Sequence, residues 1–403
     1  MNHTPTSERL HIGIFGKRNA GKSSIINAIT GQNLAIVSDV KGTTTDPVLK
    51  AMEILPLGPV VLIDTPGLDD EGKLGELRVK KAYQMLNKTD IALVVIDGKV
   101  GMTAEDAIIL AKIQEKEIPC IVVYNKKDLI ANDGVGRPAN LQKCGNARRC
   151  TNCIWVSTTT GENIDELKKM IANVVPKADV FKPIVGDLIN PLDFVVLVTP
   201  IDGSAPKGRL ILPQQQTIRD VLEAGAVPVV VKDTELSEML DKLQVKPSLV
   251  ITDSQMFGKV AQIVPKDVPL TSFSILMARY KGDLETVVKG AHALDELQDG
   301  DVVLISEGCT HHRQCEDIGT VKLPKWILEY TEKDVKFEFT SGTEFPDDLS
   351  NYKMVIHCGG CMLNEREMKY RLKCAEDVQI PMTNYGTAIA HMKGILKRSI
   401  EIF

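Results

Sequence analysis

The chain has 403 residues, 43% of them apolar and 25% charged, with a formal net charge of −5. That is core material for two or three ordinary domains, and the mild acidity leaves no electrostatic footprint for bulk nucleic-acid binding. No apolar run approaches the roughly 18 residues of a membrane span, and the polar start Met1–Arg9 does not read as a secretory leader. Nine cysteines in such a chain point to metal or redox chemistry and not to a disulfide framework.

In chain order, the apolar run Leu10 to Phe15 predicts a buried strand. Gly16-Lys17-Arg18-Asn19-Ala20-Gly21-Lys22-Ser23-Ser24 follows, a phosphate-binding loop of the pattern G-x-x-x-x-G-K-[ST]. Ile25, Ile26 and Ile29 then mark a helix that Gly31 can end. The glycines let the backbone wrap a phosphate, and amide N–H groups at the helix start face it. Lys22 is placed to reach the β- and γ-phosphates, and Ser23 to offer its hydroxyl to Mg²⁺.

The run Val60–Ile63 leads into Asp64-Thr65-Pro66-Gly67. An acidic residue at a strand's carboxyl end can hold the water shell of Mg²⁺, and the Gly67 N–H can sense a γ-phosphate. Further runs, 91–96 and 120–124, alternate with helical stretches as far as residue 175, the signature of a doubly wound, mostly parallel sheet. After the second of these runs comes Asn125-Lys126-Lys127-Asp128. The Asp128 carboxylate can accept from both N1–H and the exocyclic amine of guanine, a donor pair that adenine lacks, so this tetrad selects GTP. Asn125 and the stem of Lys126 brace the loop and cover the base.

These motifs resemble the translation-factor-like small GTPases over about 165 residues. By that resemblance Gly42-Thr43-Thr44-Thr45-Asp46 is a switch segment with Thr44 as Mg²⁺ ligand. Ser157-Thr158-Thr159 stands where the family has Ser-Ala-Lys and would meet the base. Thr45 and Thr158 depart from the family's arginine and alanine. Leu68 occupies the place of a water-orienting glutamine, and Asn19 matches the asparagine with which potassium-dependent members bind K⁺. Asp69, Asp70 and Glu71 read as a solvated loop. Slow hydrolysis is expected, with Lys22, Asn19, Thr44 and Gly67 as the catalytic set and Ala20, Gly21 and Ser24 completing the phosphate cradle.

Prolines 176, 183 and 191 mark a linker, and a second α/β alternation follows. It runs through a strand at 193–198, a helix near 216–224, a strand at 227–231, a helix near 236–243 and a strand at 248–252. The pattern resets around Pro265–Thr271. The expected division is 1–175 for GTP binding, 185–265, and 266–403, the last two being smaller α/β domains. No internal repeat is discernible.

Two clusters in the third region sit just past apolar strands: Cys309-Thr310-His311-His312 after 301–305, and His357-Cys358-Gly359-Gly360-Cys361 after 352–356. In a parallel sheet such ends share one edge, so the half-sites can meet. Thiolates suit zinc or an iron–sulfur cluster. The candidate ligands are Cys309, Cys358 and Cys361 with His311 or His357 as a fourth, and the residues alone leave zinc and iron–sulfur open. Cys144, Cys150 and Cys153 form a weaker C-x₅-C-x₂-C candidate. Cys120 reads as core, His312 as a neighbour of a ligand, and Cys315, Cys374, His292 and His391 show no partner pattern.

Together, C-x-H, residues 312–356 and then H-C-x-x-C resemble the cluster motif of the [FeFe]-hydrogenase maturation GTPases, commonly called HydF. The resemblance covers essentially the whole chain. It implies a cytoplasmic protein whose middle domain forms a homodimer and whose last domain carries a [4Fe–4S] cluster on three cysteines with one exchangeable position. It also implies a scaffold that receives a diiron precursor from two radical-SAM maturases and passes it to apo-hydrogenase. Neither a nucleic-acid nor a membrane partner is expected. The alternative is a potassium-dependent GTPase of RNA modification or ribosome assembly with a zinc-closed C-terminal domain.

Overall fold

The structure is a computed structural model that describes residues 4–31, 47–55, 57–68, 72–130, 152–174, 182–201, 210–309, 317–342, 344–346 and 348–403. The chain divides into two compact units, Met1–Val180 and Phe181–Phe403. No helix among the described residues is long and apolar enough to cross a membrane.

The first unit is built on a six-stranded sheet of β1 (Leu10–Phe15), β2 (Val48–Ile54), β3 (Gly58–Asp64), β4 (Ile91–Asp97), β5 (Cys120–Asn125) and β6 (Asn152–Trp155), in the order β2-β3-β1-β4-β5-β6. All pairings are parallel except β2 with β3. The central strands are continuous apolar runs because both faces of the sheet are covered. Helices Lys22–Thr30 and Ile164–Val174 pack on one face, through Ile25, Ile26, Leu167 and Ile171. Helices Gly72–Met85 and Ala104–Glu115 pack on the other, through Ala82, Met85, Ile109 and Ile113. β2 has no counterpart in the sequence reading. Four of its seven residues are exposed, only Ile54 is buried, and it lies at the sheet edge, so it carries no buried-strand signal.

The second unit contains two four-stranded parallel sheets. One is made of β7 (Phe194–Val198), β8 (Val227–Val231), β9 (Leu249–Thr252) and β10 (Leu270–Ser272), in the order β10-β9-β7-β8. The other is made of β11 (Val302–Glu307), β12 (Lys336–Ser341), β13 (Met354–His357) and β14 (Met382–Asn384), in the order β12-β11-β13-β14. By rank along the chain, the two orders are the same: fourth, third, first, second. The likeness reaches individual residues. Leu270-Thr271-Ser272-Phe273 opens the helix Phe273–Lys281, and Met382-Thr383-Asn384-Tyr385 opens the helix Tyr385–Met392. Ser272 and Asn384 cap these helices by accepting from Ile275 N–H and Thr387 N–H. The helices meet at equivalent positions, where Gly386 N–H donates to Ser274 Oγ at 3.2 Å. A Cβ on Gly386 would lie 2.8 Å from that of Ser274.

The second unit is therefore a structural repeat, which the sequence reading did not discern because the shared residues are confined to strand ends and helix caps. β10 also closes the second sheet although it lies beyond residue 265, where the sequence pattern resets. Pro265 and Pro269 interrupt the periodicity there, but the chain only crosses to the neighbouring strand.

Candidate functional site

The loops of the first site leave the carboxyl ends of β1, β3 and β5. Between β1 and the helix Lys22–Thr30 the backbone turns through positive φ at Gly16 (146°), Asn19 (58°) and Gly21 (95°). A Cβ on Gly16 would stand 2.2 Å from the Val95 carbonyl oxygen, and one on Gly21 would stand 2.1 Å from Asn125 Nδ2, so both positions require glycine. Lys22 is buried and folds back over the loop, its Nζ donating to the Gly16 and Lys17 carbonyls at 2.8 Å each. Ala20 is buried beneath the loop, and Ser24 lies in the first turn of the helix.

Ser23 Oγ donates to Asp64 Oδ2 at 3.2 Å, which brings two of the expected Mg²⁺ groups together. Burial pushes the Asp64 carboxyl up, outweighing the opposing charge of Lys22 and the Ser23 hydrogen bond. Thr65 Oγ1 donates to the Ile14 carbonyl at 2.6 Å and holds the turn that carries Gly67 to β1. Leu68 is buried among Phe15, Ile63 and Ile96, so its side chain serves the core and offers nothing to water.

Asn125 braces the phosphate loop from the other side. Its Nδ2 donates to the Ala20 carbonyl at 3.2 Å, and its Oδ1 accepts from Thr158 N–H at 3.4 Å. Ser157 Oγ donates to Asp128 Oδ1, so the segment 157–158 is tied to both ends of the tetrad. Lys126, at a φ of 64°, pairs with Asp97 at 2.6 Å. The arrangement joins a phosphate cradle, two Mg²⁺-type oxygens and an acidic base reader in one unit. Thr44, with Asp69, Asp70 and Glu71, lies outside the described residues.

The second site sits at the carboxyl edge of the third sheet. β11 and β13 are adjacent, with Ser306 opposite His357, so Cys309 and Cys358 leave neighbouring strand ends. Gly308 N–H donates to Cys358 Sγ at 3.1 Å and Gly360 N–H to the same sulfur at 3.4 Å. Burial pushes the Cys309 thiol up to about 12 and Cys358 to about 11, and the nearness of the other thiols adds to both. Cys361 is also raised by burial, against the pull of the Lys281 ammonium. Three such sulfurs at one edge become thiolates when a cation takes the place of their protons.

Sequence reasoning missed the residues that hold this edge. Lys281 is buried at the end of the helix Phe273–Lys281, and its Nζ donates to the carbonyls of Cys361 at 3.0 Å and Leu363 at 2.9 Å. Arg371 is fully buried and donates to Glu367 Oε1 through Nε and Nη2, both at 3.0 Å, and to the Gly342 carbonyl at 2.7 Å. Its Nη1 donates to Ser306 Oγ and to His357 Nε2. His357 Nδ1–H donates in turn to the Cys358 carbonyl at 2.7 Å. Both ring nitrogens of His357 are thus engaged by protein, which leaves no lone pair for a metal in this arrangement. Burial, reinforced by Arg371, lowers its pKa to about 3 and keeps it neutral. The one available signal was the helical i, i+4 spacing of Glu367 and Arg371, indistinguishable in sequence from a solvated ion pair.

His311, Cys144 and Cys150 lie outside the described residues. Cys153 is exposed on β6, and Cys120 packs against the first unit's core.

Comparison with known proteins separates the regions. Residues 11–126 match the family model described as 50S ribosome-binding GTPase, which fits the phosphate cradle and makes this a GTPase domain of α/β class. The chain is 32% identical over 169 residues to the tRNA modification GTPase MnmE of Nitrosomonas eutropha, covering 42% of this chain and 35% of that protein. It is 34% identical over 191 residues to the GTPase Era of Thermosipho melanesiensis, covering 46% of this chain and 62% of Era. The chain thus spans about a third of the MnmE it matches. A solved Era complex with MgGDPNP and a 16S ribosomal RNA fragment is 24% identical with a TM-score of 0.39, covering 60% of this chain and 98% of that one. Residues 184–282 match the hydrogen maturase F dimerization domain and residues 285–402 the hydrogen maturase F tetramerization domain. Those two models lie end to end over more than half of the chain, behind a GTPase domain, and on that ground the chain belongs to the hydrogen maturase F family.

Proposed function

We propose that the protein is a GTP-hydrolysing iron–sulfur scaffold that assembles or delivers the diiron precursor of the [FeFe]-hydrogenase active site. The observation that carries this reading is the convergence of Cys309, Cys358 and Cys361 at one sheet edge inside the region matched by the hydrogen maturase F models. The three thiolates would hold a [4Fe–4S] cluster, with Gly308 and Gly360 N–H groups and the Lys281 ammonium offsetting their negative charge. Three protein ligands leave one iron open to exchange, as delivery requires. The family's domains support self-association, here a homodimer built through residues 184–282 in the cytoplasm. The diiron precursor would come from two radical-SAM maturases and pass to apo-hydrogenase.

In the GTPase domain, backbone N–H groups at the start of the helix Lys22–Thr30 and the Lys22 ammonium would bind the β- and γ-phosphates. Ser23, Asp64 and Thr44 would hold Mg²⁺, which supplies charge neutralisation on the phosphates. Asn19 would present its side-chain oxygen to K⁺ beside the transferring phosphate. Gly67 N–H would meet the γ-phosphate, and Asp128 with Asn125, Lys126 and the 157–158 segment would select guanine. Since Leu68 is spent on the core, water is oriented without a glutamine and turnover is slow.

The test is a visible absorption spectrum of anaerobically purified protein with iron, sulfide and zinc analysis. Broad brown absorption with about four irons per chain supports the scaffold. Stoichiometric, colourless zinc at the cysteines supports instead a GTPase of the MnmE or Era kind with a structural metal.

A further inference from the structure

The sequence showed no partner pattern for His292 and His391, yet the fold places them together, about a hundred residues apart in the chain. His292 caps the carboxyl end of the helix Leu284–Ala291, and His391 lies in the last turn of the helix Tyr385–Met392. Asp295 stands between them in the short turn that follows His292. One ligand atom from each of the three lies within 4.8 Å of the others. His391 Nε2 is 3.0 Å from both carboxylate oxygens of Asp295, and the two imidazoles meet edge to face with ring centres 4.8 Å apart. Tyr330, near the carboxyl end of the helix Leu323–Thr331, donates its hydroxyl to Asp295 Oδ1 at 2.6 Å.

We propose that His292, Asp295 and His391 form a binding site for a divalent transition-metal ion of the zinc type, separate from the cysteine edge. Two imidazoles and one carboxylate are the donor set of Zn²⁺, Co²⁺ or Ni²⁺; Mg²⁺ and Ca²⁺ prefer all-oxygen sites. Three protein ligands leave a position for water, the pattern of an open site. The surroundings favour a cation twice over. Three helices bring their carboxyl ends, and so the negative ends of their dipoles, to this one place. Tyr330 fixes the carboxylate from behind, as outer partners of metal ligands do.

A plain surface hydrogen-bond cluster would account for Tyr330, Asp295 and His391 but gives His292 no task. Among the described residues the His292 imidazole makes no hydrogen bond and is exposed, so an ion can reach it from solvent.

The test titrates Zn²⁺ into untagged, full-length protein against a chromophoric chelator, with Co²⁺ in parallel. Cobalt separates the two sites, since thiolate ligation gives intense near-ultraviolet charge transfer and an imidazole–carboxylate site gives only the weaker visible bands. With the cysteine edge already filled by its own iron–sulfur cluster, the expected result is one ion per chain with visible bands free of thiolate character. His292→Ala and His391→Ala should each weaken it at least tenfold, and Tyr330→Phe by less. His292→Ala is decisive because removing an exposed ring without hydrogen bonds leaves the fold intact, which circular dichroism checks. If folded His292→Ala binds Zn²⁺ within threefold of the wild type, or if all cobalt absorption carries the thiolate signature, the site does not exist.

Discussion

Arg371 Nη1 donates to His357 Nε2 at 3.0 Å, and both side chains are fully buried. The guanidinium also holds Glu367 and Ser306, so one side chain links the helix Glu365–Asp377 to the ends of β11 and β13, from which the cysteines depart. A buried charge of this kind is held by its partners, and losing either leaves the other uncompensated.

Arg371→Ala should therefore cost about 3–5 kcal/mol of unfolding free energy, the range for breaking a buried pair. Glu367→Ala with Arg371→Ala should recover part of it. Urea unfolding followed by circular dichroism measures both. A double variant no more stable than the single one would show that Glu367 is not the charge partner that matters.

At the repeat's centre, Gly386→Ala places a methyl 2.8 Å from Ser274 Cβ. The helices Phe273–Lys281 and Tyr385–Met392 must separate, at a cost of roughly 1–3 kcal/mol. Thermal unfolding should show the loss, and Ser274→Gly in the same chain should restore part of it.

For the base reader, Asp128→Asn replaces a charged acceptor and should weaken guanine nucleotide binding by about 1.5–3 kcal/mol. The readout is the KM for GTP. An unchanged KM would remove Asp128 from the base contact.

Turnover should rise when Na⁺ is exchanged for K⁺ at constant ionic strength, and Asn19→Ala should abolish the difference. Lys22→Ala should suppress turnover in either salt, since it removes the charge on the phosphates. Equal rates of the wild type in both salts would eliminate the potassium role.

At the third sheet's edge, Cys309→Ala, Cys358→Ala and Cys361→Ala should each abolish cluster assembly while GTP turnover persists. Iron and sulfide analysis with electron paramagnetic resonance on the reduced variants measures the loss. His357→Ala should retain iron, because its ring serves Arg371, and should instead lower stability. Full iron content after loss of any one cysteine would contradict the three-thiolate assignment.

The sequence by itself determined what is local. The phosphate loop, the Asp64 and Asp128 turns and the strands feeding them are contiguous patterns, because a phosphate cradle needs glycine at fixed backbone angles and a buried parallel strand needs an unbroken apolar run. The cysteine half-sites were legible for the same reason, each following an apolar strand. What only the tertiary structure decided depends on distant segments meeting. The repeat in the second unit lives in strand order, which periodicity does not encode. The tasks of Arg371, Lys281 and His357 follow from complete burial, and charged residues in sequence carry no mark of it. His292, Asp295 and His391 come together only because two helices end side by side, and helix packing is set by the complementarity of whole faces, to which a single histidine contributes no recognisable spacing.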